Sequence, residues 1–282
     1  RSYKNSPEAP VPILEPIKKK YFLGGAANVA NNIKKFGEDV MLVGVVDSNL
    51  FKSTIILKKI LKNNSIKNKL FESKKFTPPL KERIYCNNKM IYRVDYEKKN
   101  LNDKSNEIFS YVKKNIHKFS ILILSDYNKG TFNKKNYKKL TNLFRENNKI
   151  TICNPKKNNI SYYNGCDIIV PNEKEFNSFF PKKLTLRKKI KNFFIKNHQI
   201  SHLIITRGDK HVIYSDKRTI SLLKVKKINP IDVTGASDTF ISILGIFLKN
   251  KYSLKTAISK AILASRIVIK KKFTSFIKKE EL

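Results

Sequence analysis

Short apolar runs rich in β-branched residues recur along this chain, separated by polar segments with helical spacing of Leu, Ile and Phe. The runs predict strands over 40–46, 121–125, 150–153, 167–170, 202–206 and 212–215. Helices are predicted over 134–146 and 186–196. A third, over 253–270, has Leu254, Ala257, Ile258, Ala261 and Ile262 on one face, which would pack on the core. This alternation predicts an α/β fold, a mainly parallel sheet with helices on both faces. Residues 11–22 and 76–95 read differently, as extended segments of alternating residues with Pro at the bends. Residues 52–75 are low in complexity and give no clear motif. There is no internal repeat, and the pattern is that of one domain over 1–282.

Composition leaves that picture standing. A chain of 282 residues, 40% hydrophobic, can bury a large core. The formal charge of +37 would suit a nucleic-acid binder, but the Lys residues are spread through every predicted element instead of forming one stripe with a docking motif. The excess of Lys, Asn and Ile, with no Trp, fits drift of an A+T-rich coding sequence. Such a charge should still draw anionic substrates and cause salt-sensitive adhesion to polyanions. Cys86, Cys153 and Cys166 have no paired spacing, so neither a disulfide framework nor a zinc site is expected. No apolar run is long enough to span a bilayer, and no signal-peptide core is expected at the start, so a reducing cytoplasm is the default.

In parallel α/β sheets ligands lie beyond the carboxyl ends of the strands. The boxes at 125–130, 154–156, 171–172 and 206–208 each follow a predicted strand. The most informative box is later still: Ile231-Asp232-Val233-Thr234-Gly235-Ala236-Ser237-Asp238-Thr239, running into an apolar helix. Unpaired N–H groups at a helix start attract an anion, and Gly235 and Ala236 would let it approach the backbone. Asp238, in the first turn, could accept a proton from an attacking hydroxyl. An ordinary helix start, with Asp238 complementing the dipole, fits the same residues. An early box, Gly24-Gly25-Ala26-Ala27-Asn28-Val29-Ala30, offers a tight turn and, in Asn28, a donor and an acceptor for sugar hydroxyls. A helix cap with small packing residues is the plainer reading of that segment.

Taken as a pair, the two boxes resemble those of the ribokinase-type (PfkB) sugar kinases. The resemblance narrows with Ser6-Pro7-Glu8-Ala9-Pro10-Val11-Pro12, Tyr92-Arg93-Val94-Asp95-Tyr96-Glu97 and Leu124-Ser125-Asp126-Tyr127-Asn128-Lys129-Gly130. In that order they are similar to the kinase domain of the bacterial D-glycero-β-D-manno-heptose-7-phosphate kinases, over about Ser6 to Ser275. That domain is often fused to a nucleotidyltransferase that completes the ADP-heptose precursor of lipopolysaccharide. No His-x-Gly-His nucleotidyltransferase box occurs in these 282 residues. By the same resemblance the chain starts beyond the family's first strand, which supplies an acidic sugar contact, as an N-terminally truncated member would.

The resemblance implies a ribokinase-like fold, ATP and Mg²⁺, and a sugar phosphate as acceptor. Asp238 would be the catalytic base, with Gly235, Ala236 and Ser237 as the anion hole. Asn172, Thr206, Arg207, Asp232 and Thr234 would lie on the nucleotide, and Glu175 would help to organise the metal through water. Gly24, Gly25, Asn28 and Asp126 would face the substrate. Residues 11–22 and 76–95 would form a small β-lid, from which Lys81 and Arg83 could clamp the sugar's phosphate. Solvated surface cations are the plainer reading of those two. Lid strands in this family often pair between subunits, so a homodimer is one arrangement.

Several residues depart from the pattern. Ser237 stands where the late box usually has Gly; at positive φ it would strain the anion hole by ~1 kcal/mol or more, at negative φ not at all. Asn154 replaces an Asp, while His211, Phe273 and Asp47 occupy Gly positions. Other readings therefore stay open: a degraded, weakly active or inactive relative, a kinase for another sugar, or, further off, a nucleic-acid-binding protein.

Overall fold

Two helices begin and end where their apolar spacing does, at Lys134–Glu146 and Leu186–Lys196. Asn133 and Thr185 cap their first turns, each side chain accepting a backbone N–H. The computed structural model describes residues 2–49, 51–86, 89–98, 100, 104–127, 129–131, 133–156 and 160–282. In chain order the elements are β1 (Ser2–Asn5), β2 (Pro12–Leu14), α1 (Gly25–Lys35), β3 (Met41–Asp47), α2 (Lys52–Asn63) and β4 (Lys67–Ser73). There follow β5 (Leu80–Cys86), β6 (Lys89–Tyr96), α3 (Ser105–Lys114), β7 (Ile121–Ser125), α4 (Lys134–Glu146), β8 (Ile150–Asn154) and β9 (Ile168–Ile169). The chain ends with α5 (Glu173–Ser178), α6 (Leu186–Lys196), β10 (His202–Ile205), β11 (Val212–Ser215), β12 (Ile220–Leu223), α7 (Ala236–Lys249) and α8 (Leu254–Val268).

The largest sheet has the order β12-β11-β10-β9-β8-β7, and β7 to β10 run parallel. Consecutive residues on its strands enter opposite cores. Cys153, Ile169, Leu203, Ile205 and Ile213 pack with α3 to α6. Their neighbours Ile152, Ile168, Ile204 and Val212 pack with α1, α7 and α8. This period of two, buried on both faces, is why the strands read as unbroken apolar runs. β11 and β12 are antiparallel to their neighbours. The link from β10 to β11 is a short turn around Gly208, with no room for a crossover helix.

One expectation needs correction, that for the lid, and several elements were unforeseen. Residues 52–75, which give no clear motif, form α2 and β4, and β4 pairs in parallel with β3. Their Lys-rich outer faces mask an inner row that includes Thr54 and Leu61, both fully buried. The lid ribbon is β5 paired with β6, but of residues 11–22 only Pro12–Leu14 is a strand, and its partner is the unforeseen β1. β12 was also unforeseen; only one of its faces is partly covered. Asp47, at a Gly position of the early pattern, is buried and earns its place by accepting hydrogen bonds from Asn49 N, Phe51 N and Thr54 Oγ1 at the start of α2.

β3 and β7 are both outer strands of their sheets and do not pair with each other. Both line one cavity of about 1640 Å³, walled by Ala27, Ala30 and Ile33 of α1 and by Ile108, Val112 and Leu140 of α3 and α4. At the carboxyl ends of the strands the cavity opens onto Asp126, Gly235 and Asp238. Among the described residues no helix is long and apolar enough to cross a membrane.

Candidate active site

The late box turns into α7 through Gly235, whose φ of +86° lies in the left-handed region. A Cβ on Gly235 would stand 2.9 Å from Asn28 Nδ2, so backbone conformation and close approach both require glycine here. In the turn that follows, the N–H groups of Gly235, Ser237 and Asp238 donate no hydrogen bond to a described residue. They are the orphan donors of a 14-residue helix, at the positive end of its dipole. Ala236, expected in the anion hole, needs correction: the turn directs its N–H to Val233 O at 3.3 Å. Ser237 is not among the residues with positive φ, so serine in place of glycine brings no backbone strain.

Asp238 is buried at the mouth of the cavity. Its Oδ2 accepts from Asn28 Nδ2 at 2.7 Å, and its Oδ1 accepts from the Tyr127 hydroxyl. Burial pushes the Asp238 carboxyl above the usual carboxylate range; the two donors and the nearby Lys156 ammonium oppose this without reversing it. The Tyr127 hydroxyl is driven up, first by burial and then by the charge on Asp238, so it stays protonated and donates. Asn28 is placed by packing of α1 on α7. Asn32 Nδ2 donates to Asn28 O at 2.9 Å, Thr239 Oγ1 to Asn32 Oδ1 at 3.0 Å, and Ser242 Oγ to Val29 O at 3.1 Å. Asn28 thus lies inside the fold with its amide on Asp238, while Gly25 (φ +57°) lies against the Tyr127 ring, 3.2 Å from where a Cβ would be.

The boxes after β8, β9 and β10 converge beside this pair. Asn172 and Glu175 form a capping box on α5: Glu175 N donates to Asn172 Oδ1 at 2.9 Å, and Asn172 N to Glu175 Oε2 at 2.8 Å. Glu175 Oε1 is ion-paired with Lys156, whose Nζ stands 5.9 Å from the centre of the Tyr127 ring. Asn172 and Thr206 form a parallel bridge, Glu173 N donates to Thr206 O at 2.9 Å, and Arg207 Nε donates to Glu173 Oε1 at 2.8 Å. Asp232 joins two loops, accepting from Thr234 N at 2.9 Å and Phe273 N at 3.1 Å. Phe273, a departure from glycine, has φ +63°, a conformation costing an L-residue about 1–2 kcal/mol. Its ring stacks on Phe22 and meets Tyr85 edge-on, which offsets part of that cost.

The lid residues differ from one another. Lys81 is neutralised by Asp95 and Glu97, each at 2.8 Å. Arg83 faces Arg93 across the ribbon and makes no ion pair with a described residue. Both line the cavity. Asp126 is buried at the end of β7, its N–H donating to Asn154 O at 3.3 Å. Asn128 of the same box lies outside the described residues. Sequence reasoning missed Tyr127 and Lys156 as site residues, although both lie in boxes that follow strands. That position was the available signal.

Among the described residues no three His, Cys, Asp or Glu cluster as a dedicated metal cage. Mg²⁺ retains several waters and takes one or two carboxylates together with substrate phosphates. Glu175 is a carboxylate beside the site, with Oε1 paired to Lys156 and Oε2 accepting from Asn172 N, so an ion bridged to it by water fits better than a directly bound one.

A buried carboxylate on the first turn of a helix whose leading N–H groups donate to no described residue could serve phosphoryl transfer. Residues 2–280 match the model of the pfkB family of carbohydrate kinases, and the chain belongs to that family. It is 33% identical over 288 residues to the bifunctional protein HldE of Helicobacter pylori (strain HPAG1), covering all of this chain and 62% of that protein. To the protein of the same name from Blochmanniella pennsylvanica it is 32% identical, over 96% of this chain and 57% of that one. The chain therefore spans about three-fifths of the curated relatives it matches. The fold is similar to that of phosphofructokinase-2 from Escherichia coli (TM-score 0.78, 15% identity, covering 99% of this chain and 91% of that one). It is also similar to that of ribokinase from Thermotoga maritima (TM-score 0.73, 19% identity, 99% and 92%).

Proposed function

We propose that this chain is an ATP-dependent sugar kinase that phosphorylates the anomeric hydroxyl of D-glycero-β-D-manno-heptose 7-phosphate, toward ADP-heptose for the lipopolysaccharide core, in the cytoplasm. The observation that carries the reading is Asp238: a buried carboxylate on the first turn of α7, beside N–H groups that donate to no described residue. The motif resemblance to the heptose-7-phosphate kinases supports the choice of sugar, and the family match supports a sugar kinase. A neighbour with this fold, a putative ribokinase II from E. coli, was solved with ATP and Mg²⁺, which supports the choice of donor.

In this mechanism Asp238 accepts the proton of the sugar hydroxyl as its oxygen bonds to the γ-phosphorus. The bond from that phosphorus to the bridging oxygen breaks, and ADP leaves with the electron pair. The N–H groups of Gly235, Ser237 and Asp238 stabilise charge on the phosphoryl oxygens. Asn28 holds the carboxylate in position. Glu175, with Asn172 fixing its orientation, would hold Mg²⁺ through water, and the ion would supply charge neutralisation for the phosphates. Arg83, without an ion pair to a described residue, could meet the phosphate on the sugar; Lys81 would first have to leave Asp95 and Glu97.

The test is ADP release by purified protein with ATP and Mg²⁺, comparing the heptose 7-phosphate with plain sugars. Turnover only with the heptose phosphate, abolished in Asp238→Asn, is the expected result. Turnover with another sugar would move the substrate assignment, and silence with all of them would favour the inactive-relative reading.

A further inference from the structure

The two donors on Asp238 are not equivalent. Asn28 is fixed from several sides by the α1–α7 network of Asn32, Thr239 and Ser242, and it cannot leave without opening that interface. Tyr127 comes from the loop after β7. Its ring lies against Gly25, where a Cβ would stand 3.2 Å away, and Lys156 Nζ is 5.9 Å from the ring centre. Both Tyr127 and Asp238 line the cavity that also holds the lid cations. A phenolic O–H donating to a carboxylate is chemically the same contact that an acceptor hydroxyl must make before transfer. We propose that Tyr127 is a positioning residue that occupies the acceptor's place on Asp238 until the sugar hydroxyl displaces it.

This rests on reading Asp238 as the proton acceptor. While Tyr127 holds Oδ1, a water molecule cannot take that place and attack the triphosphate. A sugar can, because its other contacts offset the loss of the tyrosine bond. Tyr127 therefore acts by excluding water in the absence of sugar. Gly25 of the early box serves the same device, because it leaves the space in which the ring lies.

The test uses Tyr127→Phe, which keeps the ring and removes the donor. Sugar-independent ATP hydrolysis should rise at least about tenfold, the equivalent of one broken hydrogen bond to a charged group. The rise should vanish in the double variant Tyr127→Phe/Asp238→Asn. Calorimetric binding of heptose 7-phosphate in the presence of ADP should tighten, with KM falling. Hydrolysis that stays at the wild-type level, whatever that level is, overturns the proposal; so does a variant in which kcat falls while sugar affinity is unchanged. If wild type binds no heptose phosphate, the substrate assignment fails, and the hydrolysis measurement still decides the role of Tyr127.

Discussion

Asn28 and Asp238 lie 210 positions apart in the chain, and the amide of one stands 2.7 Å from the carboxylate of the other. This contact joins the early and late boxes into one site. Replacing Asn28 with Leu leaves Asp238 buried with a single side-chain donor. We expect a loss of about 1–3 kcal/mol in urea unfolding. The acid limb of kcat/KM should also move to higher pH, because Asn28 is one of the groups holding the Asp238 carboxyl down.

Burial raises the Asp238 carboxyl above its ordinary value of 3.8, and the sign of the stability effect follows. Above pH 3.8 the native state holds this proton more tightly than the unfolded chain does, so stability falls as pH rises through the native value. Asp238→Asn removes the buried charge. The variant should unfold at a higher temperature than wild type at pH 7, and the difference should shrink as the pH drops toward the ordinary carboxylate range. A variant less stable than wild type at pH 7 would contradict this.

Gly235→Ala meets two obstacles at once: a left-handed backbone, and Asn28 Nδ2 at 2.9 Å from the new Cβ. The backbone alone costs about 1–2 kcal/mol. Thermal unfolding should show at least that loss, with ATP turnover falling further because Asn28 is pushed from Asp238. Ser237→Gly, by contrast, should leave turnover within about twofold, since Ser237 does not have positive φ.

Glu175→Gln removes the carboxylate partner of Lys156 and the candidate metal-side acid. The magnesium concentration giving half-maximal activity should rise several-fold, while kcat at saturating magnesium changes less. A reduced kcat with an unchanged magnesium requirement would assign Glu175 to orienting Lys156 alone.

Phe273→Gly relieves a left-handed phenylalanine and removes the ring that meets Phe22 and Tyr85. These opposed effects should leave global stability within about 1 kcal/mol of wild type. The segment around Lys18–Lys20, no longer held by the ring, should be cut faster by trypsin.

The sequence was legible where burial is symmetric. The strands β7, β8 and β11 and the helices α4 and α6 follow unbroken runs or clean helical spacing. It was illegible where lysine covers one face, as in α2 and β4, and where pairing depends on distant partners, as in β1 and β12. The helix start at Gly235 and the buried place of Asp238 could be read from small residues beside an acid. The contacts of Asn28 and Tyr127 could not, because they depend on how α1 and the loop after β7 lie against α7. Ser237 and Phe273 make the same point: both depart from glycine, and only backbone geometry distinguishes the harmless change from the strained one.

The facing, unpaired edges of β3 and β7 also divide the molecule's cooperativity. Among the described residues each strand has a ladder partner on one side only, so no strand pairing ties the segment from β3 to β4 to the main sheet. Such a segment opens as a unit of its own, at a free energy below that of global unfolding. Amide exchange should divide along that seam: the unit formed by β3, α2 and β4 would lose protection together, while β8 to β10 hold theirs until the whole chain unfolds.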